Sequence, residues 1–597
     1  MSKFLIADPV HIHARNFGSL FDYFADKKAT TVVNEEFKPW MSAFGNYTEF
    51  QKPLKENYSK LKKLEVNELF DFSVMQINLF KVCRAEILSL AITSEDMRST
   101  PLPDNTRELF DILYSAHKDT LLWNMAAAIH WIEFWSTMLK RHNPKFVLVF
   151  SGSLTYARSL LEAVRTHTAR IFVLESFFTG NDNYVEEKFE PIANNSNLKH
   201  LAYYNSLEPN LTPAERDRER NKAINKVISS KNKNVNQPEE TKVKLFKNEK
   251  KTILITGQVL NDFSVLEYKG VGLNSIAFYI ELIKKLLTRT DLNIIFKAHP
   301  WERKKKNIQS PLTLDTLCKE FNTSPSTTTA NDRLVFIEDF NIKSLFRQVD
   351  FVAGINSQAL IEAAFEGYQP IQFGNAFYGK KGFTSDYTTE NLDQFIDDIN
   401  RGVIPSQLGI NEYRNYETFL LRTLQYSLVS AFPSGKAQLS TMFNLPSHVA
   451  ILKGPPTVAP AKPAAPTKPN APVAKPATPA KAATPAAVTP APKPTAPVSP
   501  ATPQASPAAA KVVAAPATPS PAIVAAPAAT KPAEPVDAPT TAEKSQTELA
   551  KIEAAEKKKK KWQKFWKTPK RFFLDSKNKR VRWMHIFFPK KLSFSGK

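Results

Sequence analysis

Short apolar runs rich in Val, Ile, Leu and Phe recur along the first three quarters of this chain, and most are followed by a stretch with helical periodicity. Strands that are apolar on both faces are typical of parallel sheets covered by helices, whereas half-exposed strands alternate apolar and polar residues. The runs lie at residues 3–7, 146–150, 169–174, 252–256, 292–296, 334–337, 350–353 and 371–373. This alternation predicts an α/β fold built on parallel sheets.

A polar stretch divides these runs into two groups. Residues 206–250 are rich in both charges, in asparagine and in proline, which is typical of a connecting segment. We interpret it as a hinge between two Rossmann-like lobes, over residues 1–205 and 251–450. Helical periodicity between residues 50 and 140 predicts a helical insertion in the first lobe. Closing helices are predicted at 392–401 and 412–430.

Polar residues follow one strand run where ligands bind in open α/β sheets, at the carboxyl end of the strand. After the run 292–296 come Lys297, His299 and Pro300. A cation and an imidazole at this edge predict an anion site.

A second part of the same site follows the run 350–353. There Asn356 and Ser357 precede a helical pattern over 358–365. Either side chain could cap that helix, and free backbone N–H groups at a helix start bind phosphate. Together with the cation and imidazole, this predicts a phosphate held without a metal ion.

Two carboxylates are candidates for chemistry nearby. Glu175 ends the run 169–174, and a carboxylate at the carboxyl end of a parallel strand can face a cleft. A cap or an ion pair would also explain Glu175. Asp262 lies four residues after Gln258 and could equally be a loop carboxylate that orders Gln258 and Ser264.

No metal site is predicted. His11 and His13 are two residues apart, so on an extended strand they point to opposite faces, although either could line a cleft. No Asp-x-Asp follows a strand run. The two cysteines, Cys83 and Cys318, offer neither zinc-binding spacing nor a disulfide framework, which fits a reducing cytoplasm.

The second group of runs resembles the glycosyltransferases of bacterial capsule polysaccharide biosynthesis, a group that includes the Kdo transferases of capsules and lipopolysaccharides. The matching positions, in chain order, are Gln258, Val259, Asp262, Ser264, Val265, Lys297, His299, Pro300, Asn356, Ser357, Glu362, Ala363, Gly367, Pro370, Phe377, Tyr378, Gly379, Gly382, Phe383 and Thr384. The resemblance implies the GT-B architecture, two Rossmann-like lobes with a cleft between them. It implies that residues 1–205 form the acceptor side and residues 251–450 bind the nucleotide sugar.

The resemblance also implies an activity: transfer of a Kdo-like sugar from a CMP-activated donor to a glycan or glycolipid acceptor. No cofactor is expected, and metal independence is expected because no Asp-x-Asp follows a strand run. Asp262 and Glu175 would be catalytic. Asp262 would act as the carboxylate at the sugar carbon, a covalent nucleophile in related enzymes that retain the β configuration, and Glu175 would deprotonate the acceptor hydroxyl. The substrate-binding residues would be Gln258, Lys297, His299, Pro300, Asn356, Ser357 and Glu362. The family often has two acids and a glycine where Ser176 and Phe177 follow Glu175 here.

Two other functions stay open. Teichoic-acid-type polymerases that use CDP-glycerol share two lobes, a His-Pro element and a serine-bearing helix start. They favour Thr-Asp-Tyr-Ser where this chain has Gly354, Ile355, Asn356 and Ser357, which argues against them. The second alternative is a catalytically degenerate scaffold for the polysaccharide machinery, and the irregular sequence around Glu175 favours it.

The C-terminal quarter has a different composition. Residues 455–544 contain 24 of the chain's 43 prolines and neither glycine nor an aromatic residue, so a core cannot form and a disordered Ala/Pro-rich linker is expected over 451–546. A basic aromatic tail follows over 547–597. Residues 551–597 carry 17 Lys and Arg against 3 Asp and Glu, which accounts for most of the net charge of +22.

Basic residues interleaved with Trp and Phe are typical of anchors on anionic lipid. We expect the tail to bind the anionic inner-membrane surface or a polysaccharide-assembly protein, and we expect no nucleic-acid binding by the lobes because the excess charge lies in the tail. The sequence has neither a signal-peptide pattern nor an apolar run of membrane-spanning length. A cytoplasmic protein, peripheral at the inner face of the bacterial cytoplasmic membrane, is therefore expected.

Overall fold

The structure, a computed structural model, describes residues 2–230, 237–305, 308, 312–326 and 332–447. The predicted linker and tail, 451–546 and 547–597, lie outside these described residues. In the first half the strands are β1 (Lys3–Ile6), β2 (Thr30–Val33), β3 (Ser73–Val74), β4 (Ile77–Asn78), β5 (Phe146–Phe150), β6 (Arg170–Ser176) and β7 (Asp182–Glu187). The helices there are α1 (Gly18–Asp26), α2 (Gln51–Leu61), α3 (Val66–Asp71), α4 (Leu79–Ala91), α5 (Thr106–Ala116), α6 (Lys118–His142), α7 (Thr155–Val164), α8 (Leu201–Ser206) and α9 (Pro213–Ile228).

The second half contributes the remaining elements. Its strands are β8 (Thr252–Thr256), β9 (Asn293–Lys297), β10 (Leu334–Ile337), β11 (Phe351–Gly354), β12 (Ile371–Gln372), β13 (Ser385–Asp386) and β14 (Val429–Ser430). Its helices are α10 (Phe263–Leu266), α11 (Ser275–Arg289), α12 (Thr313–Glu320), α13 (Ile342–Phe346), α14 (Ala359–Phe365), α15 (Leu392–Asn400), α16 (Ile410–Leu421) and α17 (Gly435–Asn444), with a π-helical turn at Arg422–Ser427. No helix among the described residues is both long and apolar enough to cross a bilayer.

Two six-stranded sheets form the cores of two lobes. The first has the order β14-β7-β6-β5-β1-β2, and the second has the order β10-β9-β8-β11-β12-β13. Every pairing in the second sheet is parallel. In the first sheet only β7 and β14 run antiparallel to their neighbours. The predicted α/β fold with two Rossmann-like lobes is confirmed.

The register of the second sheet places four strand ends at one level. Lys297 at the end of β9 pairs with Thr256 on β8 and with Ile337 on β10. Gly354 at the end of β11 also pairs with Thr256. The loops that follow these strands therefore start side by side, which is where a ligand meets an open parallel sheet.

The helical insertion between β2 and β5 connects the two lobes. Its longest helix, α6, packs against α2, α4 and α7. Trp131 and Trp135 of α6 are fully buried and stack with ring centroids 5.5 Å apart, so this face of α6 belongs to the core. From α4 the side chain of Arg84 reaches the second lobe and donates to the backbone oxygen of Leu266 over 3.1 Å.

The end of the described chain returns to the first lobe, which differs from the predicted lobe of 251–450. Helix α16 packs against α9, β14 extends the first sheet beside β7, and α17 packs against α1. The predicted helix over 412–430 ends at Leu421 and continues as the π-helical turn before β14. Periodicity shows that a helix has an apolar face, but it does not show which sheet that face covers.

Within the predicted hinge, 206–250, the structure describes residues 206–230 and 237–250, and both parts make defined contacts. Helix α9 begins with a capping box in which Thr212 and Glu215 exchange hydrogen bonds. Farther along, the backbone N–H of Thr241 donates to Ser344 over 3.0 Å, and that of Leu245 donates to Gln348 over 2.8 Å. Polar composition alone does not distinguish a free linker from a segment held by side-chain acceptors on a neighbouring helix.

Candidate active site

A hydrogen-bond network joins the loop after β8 to the loop after β11. Gln258 donates from Nε2 to Oδ1 of Asn356 over 2.6 Å, and Ser264 donates from Oγ to the same oxygen over 3.1 Å. Asn356 in turn donates from Nδ2 to the backbone oxygen of Ser264 over 3.0 Å. Both polar atoms of Asn356 are thus used to fix the two loops, so the interpretation of Asn356 as a helix cap is wrong.

Helix α14 starts one residue later than expected. Its N-cap is Gln358, without a side-chain cap bond, while Ser357 accepts from the N–H of Ala359 over 3.3 Å. The hydroxyl of Tyr378 donates to the backbone oxygen of Ser357 over 2.7 Å, which anchors this turn. Ser357 therefore lies at the helix start as predicted, but the cap position is occupied by Gln358.

Asp262 is the N-cap of α10 and accepts from the N–H of Ser264 over 2.9 Å. Its charge acts on groups of both lobes. Burial raises the pKa of Glu175 in the first lobe, and Asp262 raises it further. Burial lowers the pKa of His299 in the second lobe, and Asp262 opposes that change. Asp262 is therefore close enough to act electrostatically on one group of each lobe.

His299 is held as a neutral hydrogen-bond donor. The backbone N–H of Trp301, beyond Pro300 in the same turn, donates to His299 Nδ1 over 3.1 Å. Burial lowers the pKa of His299 to about 4, so the imidazole is neutral near pH 7. Since Nδ1 accepts, the ring proton lies on Nε2, which can donate to an anion.

The ammonium group of Lys297 donates hydrogen bonds to backbone oxygens. Its Nζ donates to the backbone oxygen of Glu338 over 2.6 Å and to that of Ala298 over 3.3 Å. Burial lowers its pKa to about 8. In this arrangement Lys297 fixes the strand ends and contributes positive charge at short range.

A second cation, Lys305, was missed from the sequence. It donates from Nζ to Asn261 Oδ1 over 3.0 Å, and the charge of Asp262 opposes the burial that lowers its pKa. The sequence contains one indication of this cation, because Lys305 lies in the basic stretch after Pro300. Only the folded turn distinguishes Lys305 from Arg303 and Lys304, which are exposed.

Glu362 lies in α14. Burial raises its pKa to about 7, and the charges that act on it are those of Lys343 and Glu366. The structure does not bring Glu362 together with Asp262 through any interaction of the described residues.

The first lobe contributes Glu175 at the end of β6. Its Oε1 accepts from the N–H of Ser176 over 2.9 Å, and its side chain is half-buried. Burial raises the pKa of Glu175 to about 7, against the opposing effects of His11 and Ser151. A carboxyl with this pKa exchanges a proton readily at neutral pH.

An Asp–His pair beside Glu175 was also missed. Asp8, fully buried after β1, accepts from His11 Nδ1 over 2.8 Å and from the hydroxyl of Tyr156. The His11 ring stacks on Phe150 with centroids 4.5 Å apart. Burial alone would lower the pKa of His11, but the bond and charge of Asp8 raise it above its usual value. The sequence did contain an indication of this pair, because Asp8 and His11 are three residues apart just after the first strand.

Residues 184–397 match the family model described as "Capsule polysaccharide biosynthesis protein". This segment belongs to the capsule polysaccharide biosynthesis family. It contains all of the second-lobe candidates, from Gln258 to Glu362, whereas Glu175 and the Asp8–His11 pair precede it. No curated protein of similar sequence was found.

Several solved structures are similar to this chain at low identity. The KpsC β-Kdo 2,4 transferase of Thermosulfurimonas dismutans is 18% identical over 47% of this chain and 88% of that chain, with a TM-score of 0.32. The KpsC β-Kdo 2,7 transferase of the same organism is 16% identical over 52% and 89%, with a TM-score of 0.30. S. aureus MnaA, in a UDP co-structure, is 10% identical over 74% and 95%, with a TM-score of 0.28. Likenesses of this size carry no argument about activity.

The two lobes thus contribute two kinds of groups. The second lobe offers a neutral imidazole donor, two cations and the carboxylate of Asp262. The first lobe offers Glu175 and His11, which can accept a proton. Such a set can hold a departing anion and activate a hydroxyl. Among the described residues, no group of three or more His, Cys, Asp or Glu could hold a metal ion.

Proposed function

We propose that this protein is a glycosyltransferase of bacterial capsule or surface polysaccharide synthesis that transfers a Kdo-like sugar from a CMP-activated donor to a glycan or glycolipid acceptor. One observation carries the proposal: Asp262, inside the capsule-family segment, acts electrostatically on His299 and Glu175 across the cleft. This supports a leaving-group site on one side of that carboxylate and a base on the other.

The second lobe holds the leaving group. His299 donates from Nε2 to a phosphate oxygen of the departing nucleotide, and Lys305 and Lys297 add positive charge nearby. Donors fixed in advance stabilise developing charge without the cost of reorganising solvent. Ser357 and the backbone at the start of α14 contribute further donors, and Glu362 on the same helix is assigned to substrate binding by the family resemblance.

Asp262 acts at the sugar carbon. Loss of the nucleotide leaves an oxocarbenium-like centre, which a nearby carboxylate stabilises or attacks. The helix-cap bond to the N–H of Ser264 uses Oδ1 of Asp262. No hydrogen-bond partner is found for its Oδ2 within the described part of the chain, so that oxygen is available to the sugar.

Glu175 acts as the base for the acceptor. A carboxyl with a pKa of about 7 is partly ionised at neutral pH and basic enough to remove a hydroxyl proton as the new bond forms. His11, oriented by Asp8, lies on the same side of the cleft and moderates the charge of Glu175.

We also propose that residues 547–597 hold the enzyme at the inner face of the cytoplasmic membrane or on a polysaccharide-assembly protein. The support is compositional: basic residues with interleaved Trp and Phe bind anionic interfaces.

A donor screen tests the proposed activity. Purified full-length protein would be incubated with CMP-Kdo, CDP-glycerol or UDP-sugars and an acceptor, and the products read by mass spectrometry. We expect turnover of CMP-Kdo alone. Turnover of CDP-glycerol instead would establish a glycerophosphotransferase, and no turnover of any donor would favour the scaffold.

A further inference from the structure

Helix α10 carries the proposed catalytic carboxylate and is only one turn long. It spans Phe263–Leu266, and Asp262 is its N-cap. The backbone N–H groups of Val265 and Leu266 both donate to the backbone oxygen of Asp262 over 3.0 Å. An isolated turn of this length is unstable in water, because its few hydrogen bonds do not offset the loss of backbone freedom. The position of Asp262 therefore depends on contacts that α10 makes with other elements.

Helix α4 of the insertion contacts the end of this turn through Arg84. The guanidinium donates from Nη1 to the backbone oxygen of Leu266 over 3.1 Å and from Nη2 to Glu267 Oε2 over 2.6 Å. Carbonyl groups in the last turn of a helix have no partner within the helix, and a basic side chain can supply one. Arg84 thus caps the C-terminal end of α10 from a position 182 residues away along the chain.

The same helix contacts the start of the segment. Asn261 donates from Nδ2 to the backbone oxygen of Ser89 in α4 over 3.2 Å. Its Oδ1 accepts from Lys305, a cation proposed for the leaving group, over 3.0 Å. Because Asn261 directly precedes Asp262, helix α4 fixes the segment 261–267 at both ends.

Apolar packing supports these hydrogen bonds. Val265 and Leu266 are fully buried, and α10 packs against α4. Farther along, Gly272 has a φ of +103°, and a Cβ atom at this position would lie 2.7 Å from Cδ2 of Leu88 in α4. Only glycine allows the backbone to approach another element this closely at such a φ. The contact between α4 and the segment is therefore a close-packed one.

The ion pair in this contact is largely removed from water. Arg84 is 6% exposed, and the side chain of Glu267 is 16% exposed. Breaking a buried pair destabilises a protein when it leaves a charge without a counter-charge. Here Arg158 Nη1 lies 4.0 Å from Glu267 Oε1 and supplies a second positive charge. Glu267 therefore keeps a counter-charge when Arg84 is replaced.

We infer that Arg84 is a positioning residue for the proposed reaction: with the backbone of Ser89, it fixes the segment 261–267 from the first lobe and so places the carboxylate of Asp262 at the sugar carbon. The inference rests on the proposed glycosyltransferase function and adds a condition to it. The carboxylate of the second lobe is in place only while the insertion of the first lobe is docked on α10. A displacement of about 1 Å can cost about 10²-fold in rate.

Hydrogen exchange of the full-length protein tests this contact without any substrate. The amides of Val265 and Leu266, in peptides covering 261–267, report whether α10 opens. Arg84→Met removes both hydrogen bonds and keeps an apolar stem. These amides should then exchange about 10- to 100-fold faster, the range for a lost hydrogen bond to a charged group. The amides of β9 should exchange as in the unaltered protein. Unaltered exchange of 261–267 in Arg84→Met would overturn the inference.

Arg158→Met is the matched control. It removes the same charge beside Glu267, but Nε and Nη1 of Arg158 make no hydrogen bond among the residues that the structure describes. Exchange of 261–267 should therefore stay at the unaltered rate. Acceleration equal to that in Arg84→Met would show that the charge beside Glu267, and not the bond to Leu266, fixes the segment, and would overturn the inference.

A second variant covers the case in which Arg84→Met does not fold, as judged by its melting temperature. Arg84→Lys keeps the charge, but an ammonium group lacks the planar geometry that reaches both acceptors of Arg84. Exchange of 261–267 should lie between the rates of Arg84→Met and the unaltered protein, or above the unaltered rate where Arg84→Met is unfolded. Exchange at the unaltered rate in a folded Arg84→Lys protein would reject the role of the guanidinium.

Turnover connects the contact to catalysis. With CMP-Kdo, kcat of Arg84→Met should fall about 10- to 100-fold, the scale for a displaced catalytic group. CMP binding should be unchanged, because His299 lies on the loop after β9. If a covalent adduct forms in Glu175→Gln, adding Arg84→Met should slow its appearance, which a general loss of stability would not do. Faster exchange of 261–267 with an unaltered kcat would overturn the positioning role.

The exchange measurement separates this inference from the proposed function. If the unaltered protein turns over no donor but Arg84→Met accelerates exchange of 261–267, the proposed function fails and the contact through Arg84 stands. If a donor is turned over and Arg84→Met exchanges and reacts like the unaltered protein, the proposed function stands and the inference fails.

Discussion

At the scale of single residues, the structure assigns His299 a proton on Nε2 and no charge. The His299→Ala protein should fold normally and lose transfer by about 10²–10³-fold, the scale for removing one preorganised donor. The measurement is kcat with CMP-Kdo, with the melting temperature as a check on folding. His200→Ala, at an exposed position, is the control. Near-normal turnover of His299→Ala would show that His299 does not stabilise the leaving group.

Glu175 predicts a pH dependence. Burial raises its pKa to about 7, so its ionised fraction grows as the pH rises through that value. Because a base works only when ionised, kcat/KM should increase between about pH 5 and pH 8 and then level off. Glu175→Gln should abolish transfer, while CMP binding stays intact. Full activity of that variant would leave the base unassigned and strengthen the scaffold alternative.

Asp262 has a structural and a chemical role that two substitutions separate. Asp262→Ala removes the helix cap and the charge, whereas Asp262→Asn keeps a capping side chain. Both variants should be inactive, and only the alanine should lose about 1 kcal/mol of stability. If the reaction passes through a covalent adduct, intact-mass analysis of Glu175→Gln with donor should detect it, and adding Asp262→Ala should remove it. An active Asp262→Asn protein would contradict the role of the charge.

At the scale of elements, helix α17 holds the first lobe together from the far end of the described chain. Phe443 is 2% exposed, and its ring lies 5.2 Å from that of Phe4, 5.1 Å from Phe146 and 5.0 Å from Phe172. Phe443→Ala should therefore destabilise the protein by about 3–5 kcal/mol, the usual cost of emptying an aromatic site in a core. Thermal and denaturant unfolding would measure it.

The matched control for that element is Phe432→Ala. Phe432 is 57% exposed and lies between β14 and α17. Its replacement should change stability by no more than about 0.5 kcal/mol. Equal effects of the two substitutions would show that α17 does not act as a core element.

Most elements were predictable because their periodicity is local. The runs at 146–150, 252–256 and 334–337 coincide with strands β5, β8 and β10. The antiparallel strand β7 and the edge strand β14 were not predicted. A two-residue strand such as β14 is too short to show a period in the sequence. It forms because β7 offers free backbone groups with which β14 pairs.

At the scale of the whole molecule, the proposed membrane attachment belongs to residues outside the described ones. Deleting 451–597 should leave an active enzyme on a soluble acceptor, since residues 1–450 contain both lobes and the proposed site. The deletion should abolish co-sedimentation with anionic liposomes. Each Lys or Arg near an anionic surface contributes about 1 kcal/mol, so high salt should weaken binding of the full-length protein. Neutral liposomes are the control. If the full-length protein does not co-sediment with anionic liposomes, the result would instead favour binding of the tail to another protein.

The sequence by itself determined the fold class, because the period of a strand is a local property. Its site residues in the second lobe stay predictions, although the polar residues at the strand ends were visible for the same local reason. It also identified Glu175, Asp262 and His299 as candidates. It did not determine how Lys297 and Asn356 are used, since their partners, Glu338 and Gln258, lie on other loops.

Only the tertiary structure decided which groups of the first lobe face that site. Asp8 accepts a hydrogen bond from Tyr156, and the ring of His11 stacks on Phe150. Both partners are more than a hundred residues away along the chain. A cavity lined by residues of α4, α7 and α10 likewise forms only where these helices meet. Such sites depend on long-range packing of helices on sheets, and no local pattern in a single sequence records which faces will meet.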